Sequence, residues 1–342
     1  MQISVNTKIT GLEKLVFFTS NTPQVNGVIA IHNTLRGPAL GGCRIYDYNT
    51  VIEGVNDAMT LAEAMTYKNT IADLPFGGGK AVIYKNPSVT QTMTLEVFAK
   101  VLNHLEGEYY TADDIGTSVA DMNYLRQYSP YARGILFEGK QIPATSYGVY
   151  QAIKAAVFYK EQTKNLSGLK VVVQGLGKVG YSLCKYLAKE GCKLYVYDPV
   201  KDLVDKAVSE FNATPVVMDN DTEICADIFS PCALGMAINN ENKHKFDVKY
   251  IIGGANNQLS DSGIADYLHK KSIIYVPDYL CNAGGVIDIY CEDGIYTQDT
   301  VLERVSVIYD KTIDILSQAD RLSQTPLEVA NLYVQNKLKA SR

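Results

Sequence analysis

Apolar positions along the chain fall into two kinds of run, short β-branched stretches and longer stripes at helical spacing. Gly27–Asn33 (GVIAIHN) predicts a short strand, and Gly37–Arg44 (GPALGGCR) a glycine-broken strand or a loop. From Thr50 to Asp73, the spacing of Val55, Met59, Ala62 and Met65 predicts one long helix with a single buried face. Pro75 and the run Gly77–Gly79 break that helix, and Ala81–Tyr84 restarts the chain as a strand. A second amphipathic helix carries Leu95, Phe98, Val101, Leu102 and Leu105.

Between Ser129 and Pro143, proline, glycine and charge replace this periodicity and predict a boundary. A helix from about Ser146 to Lys160 then leads into a buried-type strand, Lys170–Gln174 (KVVVQ). Beyond it the apolar runs YVYD, DIFSP, YIIGG and IIYVP alternate with helical stripes at Lys201–Phe211 and around Ile264. Such alternation predicts βαβ units and a parallel sheet. Val301–Leu316 and Leu327–Leu338 again carry the helical period. The expectation is a two-domain α/β chain with a cleft between the domains. Residues 1–140 form an α/β domain and 141–325 a parallel-sheet domain, with helix 326–342 packing back on the first.

The 342 residues are 46% hydrophobic and 20% charged, with a net charge of −5, which excludes disordered, collagenous and coiled-coil classes. No block of like charge suggests a nucleic-acid or membrane-surface partner. The first residues, MQISVNTKITGLEKLVFF, lack the apolar core of a signal peptide, and no stretch is long and apolar enough to span a membrane. Seven cysteines without a C-x-x-C pair and four scattered histidines predict neither disulfides nor a metal site, and fit a reducing cytoplasm.

Two places carry chemistry. Gly175, Leu176, Gly177, Lys178, Val179 and Gly180 form a complete G-x-G-x-x-G between the strand KVVVQ and a helix containing Leu183, Tyr186 and Leu187. The glycines serve a tight turn, close approach to a diphosphate and helix–strand packing, which makes the second domain a Rossmann-type dinucleotide site. Asp198 ends the next strand, where a carboxylate accepts the ribose hydroxyls and favours NAD over NADP; its alternative role is to cap the helix that follows Pro199.

The second place is Gly77–Lys80 (GGGK). It is no phosphate loop, because Ala81 and a strand follow the lysine instead of Ser or Thr and a helix. Lys68 lies twelve residues earlier at the edge of the helical stripe. Alone, each lysine reads as a surface charge; converging on one cavity, the two would lower each other's proton affinity and yield a general base. Asp113 and Asp114 follow a predicted strand, where neighbours point to opposite sides, so only one of them faces a given cleft. A turn or cap is the other role open to them.

In this order the stretches GPALGGCR, MTYK (65–68), GGGK, TADDIG (111–116), PATSYG (143–148), the dinucleotide loop, SPCA (230–233), GANNQ (254–258) and PDYLCNAGG (277–285) resemble the NAD-dependent amino acid dehydrogenases of the glutamate, leucine, phenylalanine and valine type. The resemblance implies reversible oxidative deamination of an L-amino acid to a 2-oxo acid and ammonia. It implies that Lys68 binds the substrate carboxylate, that Lys80 activates water, and that Asp114 exchanges protons with the amino group. It places Asn257 on substrate or nicotinamide ribose, Thr145 on the carboxamide, and Cys232, Ala233 and Asn256 beside the dinucleotide. Leu40, Gly41, Gly42, Met65, Ala112, Val286 and Ile289 would line the side-chain pocket.

Glutamate-specific relatives carry lysine where this chain has Leu40, so a γ-carboxylate would be buried without a partner. The flanks FGGGK and QGLGKVGY look like phenylalanine dehydrogenases, whereas Ala112, Val286 and Ile289 suit an aliphatic side chain. Pocket residues touch substrate and flanks do not, so leucine or another branched-chain amino acid is expected, with phenylalanine or tryptophan as the alternative. A non-catalytic NAD-binding regulator is a remoter alternative, disfavoured by the presence of Lys80 and Asp114. The segment Tyr131–Pro143 and the tail are shorter than in leucine dehydrogenases, which predicts a homo-oligomer of at least a dimer, with a homodimer expected over an octamer.

Overall fold

The structure is a computed structural model that describes residues 1–7, 11–134, 142–219, 222–233, 235–294 and 296–341. Most of the expected boundary, residues 135–141, lies outside them. The chain divides into two compact units, one of Met1–Gln141, Ile289–Tyr296 and Val334–Arg342, the other of Ile142–Asp288 and Thr297–Tyr333.

The first unit holds β1 (Gln2–Asn6), β2 (Lys14–Asn21), β3 (Gln24–Asn33), β4 (Ala39–Tyr46), α1 (Val51–Ile71), β5 (Gly77–Tyr84), α2 (Gln91–His104), β6 (Tyr109–Asp113) and α3 (Val119–Arg126). Its six-stranded sheet has the order β1-β2-β3-β5-β4-β6, antiparallel from β1 to β5 and parallel across β5, β4 and β6. On one face Phe98, Val101 and Leu102 of α2 pack with Ile29, Ile31, Cys43 and Ala81; on the other, Ala58 and Ala62 of α1 pack with Val28, Ala30 and Val82. Alternation along the strands therefore turns Gly42 and Arg44 of β4 and Lys80 of β5 toward the face that α1 covers.

One open reading is decided here and two expectations change. GPALGGCR is strand from Ala39 onward, and β5 begins at Gly77, so all three glycines of GGGK lie in the sheet. Pairing with strands on both sides supplies the backbone partners that outweigh glycine's poor strand propensity. The other change concerns α1, whose buried stripe runs through Gly54, Ala58, Ala62 and Thr66 and widens to Asn69, Thr70 and Ile71 at its end, while Val55, Met59 and Met65 are half-buried. Small side chains are needed there because α1 crosses β5 closely: a Cβ on Gly78 would come within 2.1 Å of the Thr66 nitrogen.

The second unit contains α4 (Ala144–Glu161), β7 (Lys170–Gln174), α5 (Lys178–Lys189), β8 (Lys193–Tyr197), α6 (Lys201–Phe211), β9 (Thr214–Pro215), β10 (Ile224–Cys225), β11 (Ile228–Pro231), β12 (Phe246–Asp247), β13 (Tyr250–Ile251), α7 (Gly263–Lys270) and β14 (Ile274–Tyr275). Its main sheet is parallel throughout, in the order β9-β8-β7-β11-β13-β14. Numbered from β7, this is the 3-2-1-4-5-6 arrangement of doubly wound dinucleotide folds. Helices α8 (Asp278–Cys281), α9 (Gly284–Cys291), α10 (Gln298–Val305), α11 (Val307–Leu322) and α12 (Pro326–Ala340) follow. The single stripe expected at Val301–Leu316 is thus two helices, divided at Ser306. The last residues of α9 and of α12 belong to the first unit. Among the described residues no helix is long and apolar enough to cross a membrane.

Candidate active site

Lys80 sits in the middle of β5 with 5% of its surface exposed, and its Nζ lies 2.6 Å from Asp114 Oδ2, just past the end of β6. Of the two adjacent carboxylates, Asp114 is the one that reaches the lysine. Its loop is pinned by the Thr117 hydroxyl, which accepts the Asp114 N–H at 2.9 Å and donates to the Cys43 carbonyl at 2.8 Å. Behind the pair, the buried Tyr109 hydroxyl donates to Gly42 O and accepts from Ala81 N, tying β4 to β5. Burial pushes the Asp114 carboxyl up, but Lys80 and Arg44 together pull it below the ordinary carboxylate range. Burial raises the Cys43 and Tyr109 groups, so both stay neutral beside it.

Lys68 and Met65 are half-buried toward the end of α1, and Ala112 of β6 is the register partner of Gly42. Gly41 packs directly on β5, and Leu40 is wholly buried. A Cβ on Gly42 would lie 2.9 Å from Asp114 Cβ and 3.1 Å from Lys80 Nζ. Gly42→Ala is therefore expected to spread the pair and cut kcat about 100-fold, at a stability cost of roughly 1–3 kcal/mol. Steady-state kinetics with a thermal melt checks this; an unchanged kcat would mean that the pair's spacing is immaterial.

Sequence reasoning missed two features of this unit. Arg44 joins Asp114 to Asp57, a contact between a strand and a helix that no local spacing announces. Glu292, with its side chain only 1% exposed, accepts from Gly134 N at 2.7 Å and from Arg126 Nη1 at 3.3 Å. It anchors the segment that carries Ile289, which is half-buried, and Tyr290, whose ring meets Phe76 edge-on at 6.1 Å.

In the second unit Gly175 turns with φ +93°, and a Cβ on Gly180 would fall 1.9 Å from the Gly175 oxygen, so the loop closes on the start of α5. Gly177 opens onto free space as the N-cap of α5, which among the described residues has no side-chain cap, and Lys178 beside it is exposed. Leu176 N donates to Asp198 Oδ2 and Val200 N to Asp198 Oδ1. Asp198 thus supports both the loop and the turn into α6, whose N-cap is Val200. Each carboxylate oxygen keeps a further lone pair for a ribose hydroxyl. Gly175 abuts Ala233, Cys232 lies beside Gly180, and Val179 packs on Gly254. Asn256 and Asn257 are exposed, with Asn256 Oδ1 held by Asn282 Nδ2 at 2.9 Å. Thr145 lies in the first turn of α4, against Gly285, and Val286 is buried in α9. An open anion-binding turn with a carboxylate at the adjacent strand end fits a dinucleotide.

A buried lysine–aspartate pair thus lies on one α/β unit, and a glycine turn whose shape fits a dinucleotide lies on a parallel-sheet unit. The family pattern "Glu/Leu/Phe/Val dehydrogenase, dimerisation domain" matches residues 17–130, and "Glutamate/Leucine/Phenylalanine/Valine dehydrogenase" matches residues 139–334. The chain belongs to this family: it is an amino acid dehydrogenase, acting on a CH–NH2 group with NAD(P). A leucine dehydrogenase of Geobacillus stearothermophilus is 38% identical over 335 residues, spanning 96% of this chain and 91% of the relative. A phenylalanine dehydrogenase of Lysinibacillus sphaericus is 37% identical over 347 residues, spanning 98% of this chain and 91% of the relative. The crystal structure of an L-tryptophan dehydrogenase from Nostoc punctiforme has a TM-score of 0.84 at 36% identity, with 97% of each chain covered.

Proposed function

We propose that the chain catalyses reversible, NAD-dependent oxidative deamination of a branched-chain L-amino acid, leucine foremost. The observation that carries the chemistry is the buried contact of Lys80 Nζ with Asp114 Oδ2 at 2.6 Å. Lys68 holds the substrate carboxylate. Asp114 takes a proton from the substrate amino group; NAD, when bound, would supply the acceptor for the hydride from Cα. Lys80, as the free amine, then deprotonates water for attack on the imine carbon; Asp114 returns a proton to the departing ammonia, and the new hydroxyl gives up its proton as the carbonyl forms. Amino acid, NAD⁺ and water give 2-oxo acid, ammonium, NADH and a proton. Thr145, Asn256, Asn257, Cys232, Ala233 and the loop Gly175–Gly180 hold the dinucleotide.

Leu40 supplies no cation for a γ-carboxylate, which disfavours glutamate. Ala112, Val286 and Ile289, with Gly41, Gly42 and Met65, suit an aliphatic side chain. An aromatic substrate is the second reading, favoured by the rings of Phe76, Tyr110 and Tyr290 beside the glycine run. A panel of L-leucine, L-valine, L-phenylalanine, L-tryptophan and L-glutamate, compared by kcat/KM, decides between them. A maximum at leucine or valine supports the first reading; one at phenylalanine or tryptophan replaces it with the second.

Asp198 selects NAD by repelling a 2′-phosphate. Asp198→Ala should weaken NAD and narrow its advantage over NADP by about 10-fold or more. An unchanged cofactor ratio would leave Asp198 as a turn support alone. The match to a dimerisation domain supports a homodimer, and the seven free cysteines support a reducing cytoplasm.

A further inference from the structure

The contact of Lys80 with Asp114 is one end of a longer chain of charges. Arg44 Nε donates to Asp114 Oδ2 at 3.0 Å, the same oxygen that receives Lys80 Nζ. Arg44 Nη1 donates to Asp57 Oδ2 at 2.8 Å, and the Tyr48 hydroxyl donates to that oxygen of Asp57. One planar guanidinium on β4 thus bridges a carboxylate after β6 and a carboxylate on α1. A guanidinium keeps its charge at every working pH and its fork fixes direction, whereas a lone ammonium can swivel.

We propose that Arg44, braced by Asp57 and Tyr48, is a positioning residue that fixes Asp114 against Lys80 and sets the pH at which the pair works. The proposal rests on the roles given above to Lys80 and Asp114. Two cations on one oxygen make Asp114 a weak proton acceptor, and the negative charge of Asp57 behind Arg44 offsets part of that effect. Among the described residues, Asp113 directly precedes Asp114 with its carboxylate beside Gly134, and Cys43 on β4 and Tyr109 on β6 also lie near, both kept neutral by burial, with Asp121 of α3 acting on Cys43. The lowered proton affinity of Asp114 agrees with Arg44 as one of its two cationic partners.

The test is the pH profile of kcat/KM for the wild type, Arg44→Gln, Arg44→Lys and Asp57→Asn. Loss of the Arg44 charge removes one of the two cations that hold the Asp114 carboxyl down, so the acidic limb of Arg44→Gln should move up by about one unit. In Asp57→Asn the Arg44 charge acts undiminished, and the limb should move down. Arg44→Lys should restore the limb but leave kcat about 10-fold low, because charge returns without the fork. A merely structural Arg44 would lower stability and leave every limb in place, and that result overturns the proposal. If Arg44→Gln does not fold, Asp57→Asn decides: a downward shift supports the proposal, and an unmoved or raised limb refutes it. Lys80→Met serves as the control. If it is inactive while the limbs stay put, only the positioning role fails; if it turns over normally, the roles of Lys80 and Asp114 fail first.

Discussion

Lys80→Met is expected to lower kcat by about 10³-fold or more while leaving dinucleotide affinity within about twofold of wild type. Methionine nearly matches the lysine stem in length, so the strand around position 80 keeps its packing. Asp114 keeps Arg44 as a partner after the substitution, so no buried carboxylate is stranded. The dinucleotide loop at Gly175–Gly180 belongs to the other compact unit and loses no contact of its own. What disappears is the amine that activates water, and with it the hydrolytic step. Steady-state kinetics and a fluorescence titration of the dinucleotide separate the two effects. Turnover within tenfold of wild type would remove Lys80 from the chemistry.

Asp114→Asn should cost both activity and stability. The amide cannot take the proton that the amino group must lose, so kcat should again fall by about 10³-fold. Lys80 and Arg44 are left as two buried cations sharing a neutral neighbour, and breaking such a pair costs about 3 kcal/mol near neutral pH. Because the folded-state proton affinity of Asp114 is depressed, its contribution to stability is present above the unfolded value of about 3.9. That contribution is lost as pH falls through the lower folded value. The stability gap between wild type and variant should therefore be full at pH 7 and shrink below about pH 4 in denaturant melts. A gap independent of pH would mean that Asp114 is not ionised in the fold.

The strand, loop and helix from Lys170 to Lys189 were legible because one short window contains the apolar run, the glycines and the amphipathic stripe. The helix Gln91–His104 was legible for the same reason: its buried positions repeat at 3.6 residues. The central strands of the first unit were not, since β4 and β5 take their strand character from neighbours distant in sequence. Glycine there is dictated by how closely α1 approaches, which is a tertiary fact. Lys80 and Asp114 are 34 positions apart, and only a family resemblance, not spacing, drew them together. The contacts of Arg44 with Asp57 and of Glu292 with Gly134 link separate elements and leave no local trace.

The most direct test of the central claim is to measure NADH and ammonia together, with L-leucine and NAD, for the wild type and Lys80→Met side by side. Oxidative deamination at the Lys80–Asp114 pair predicts equimolar NADH and ammonia from the wild type and neither from the variant. NADH without ammonia, or equal rates from both proteins, would contradict it.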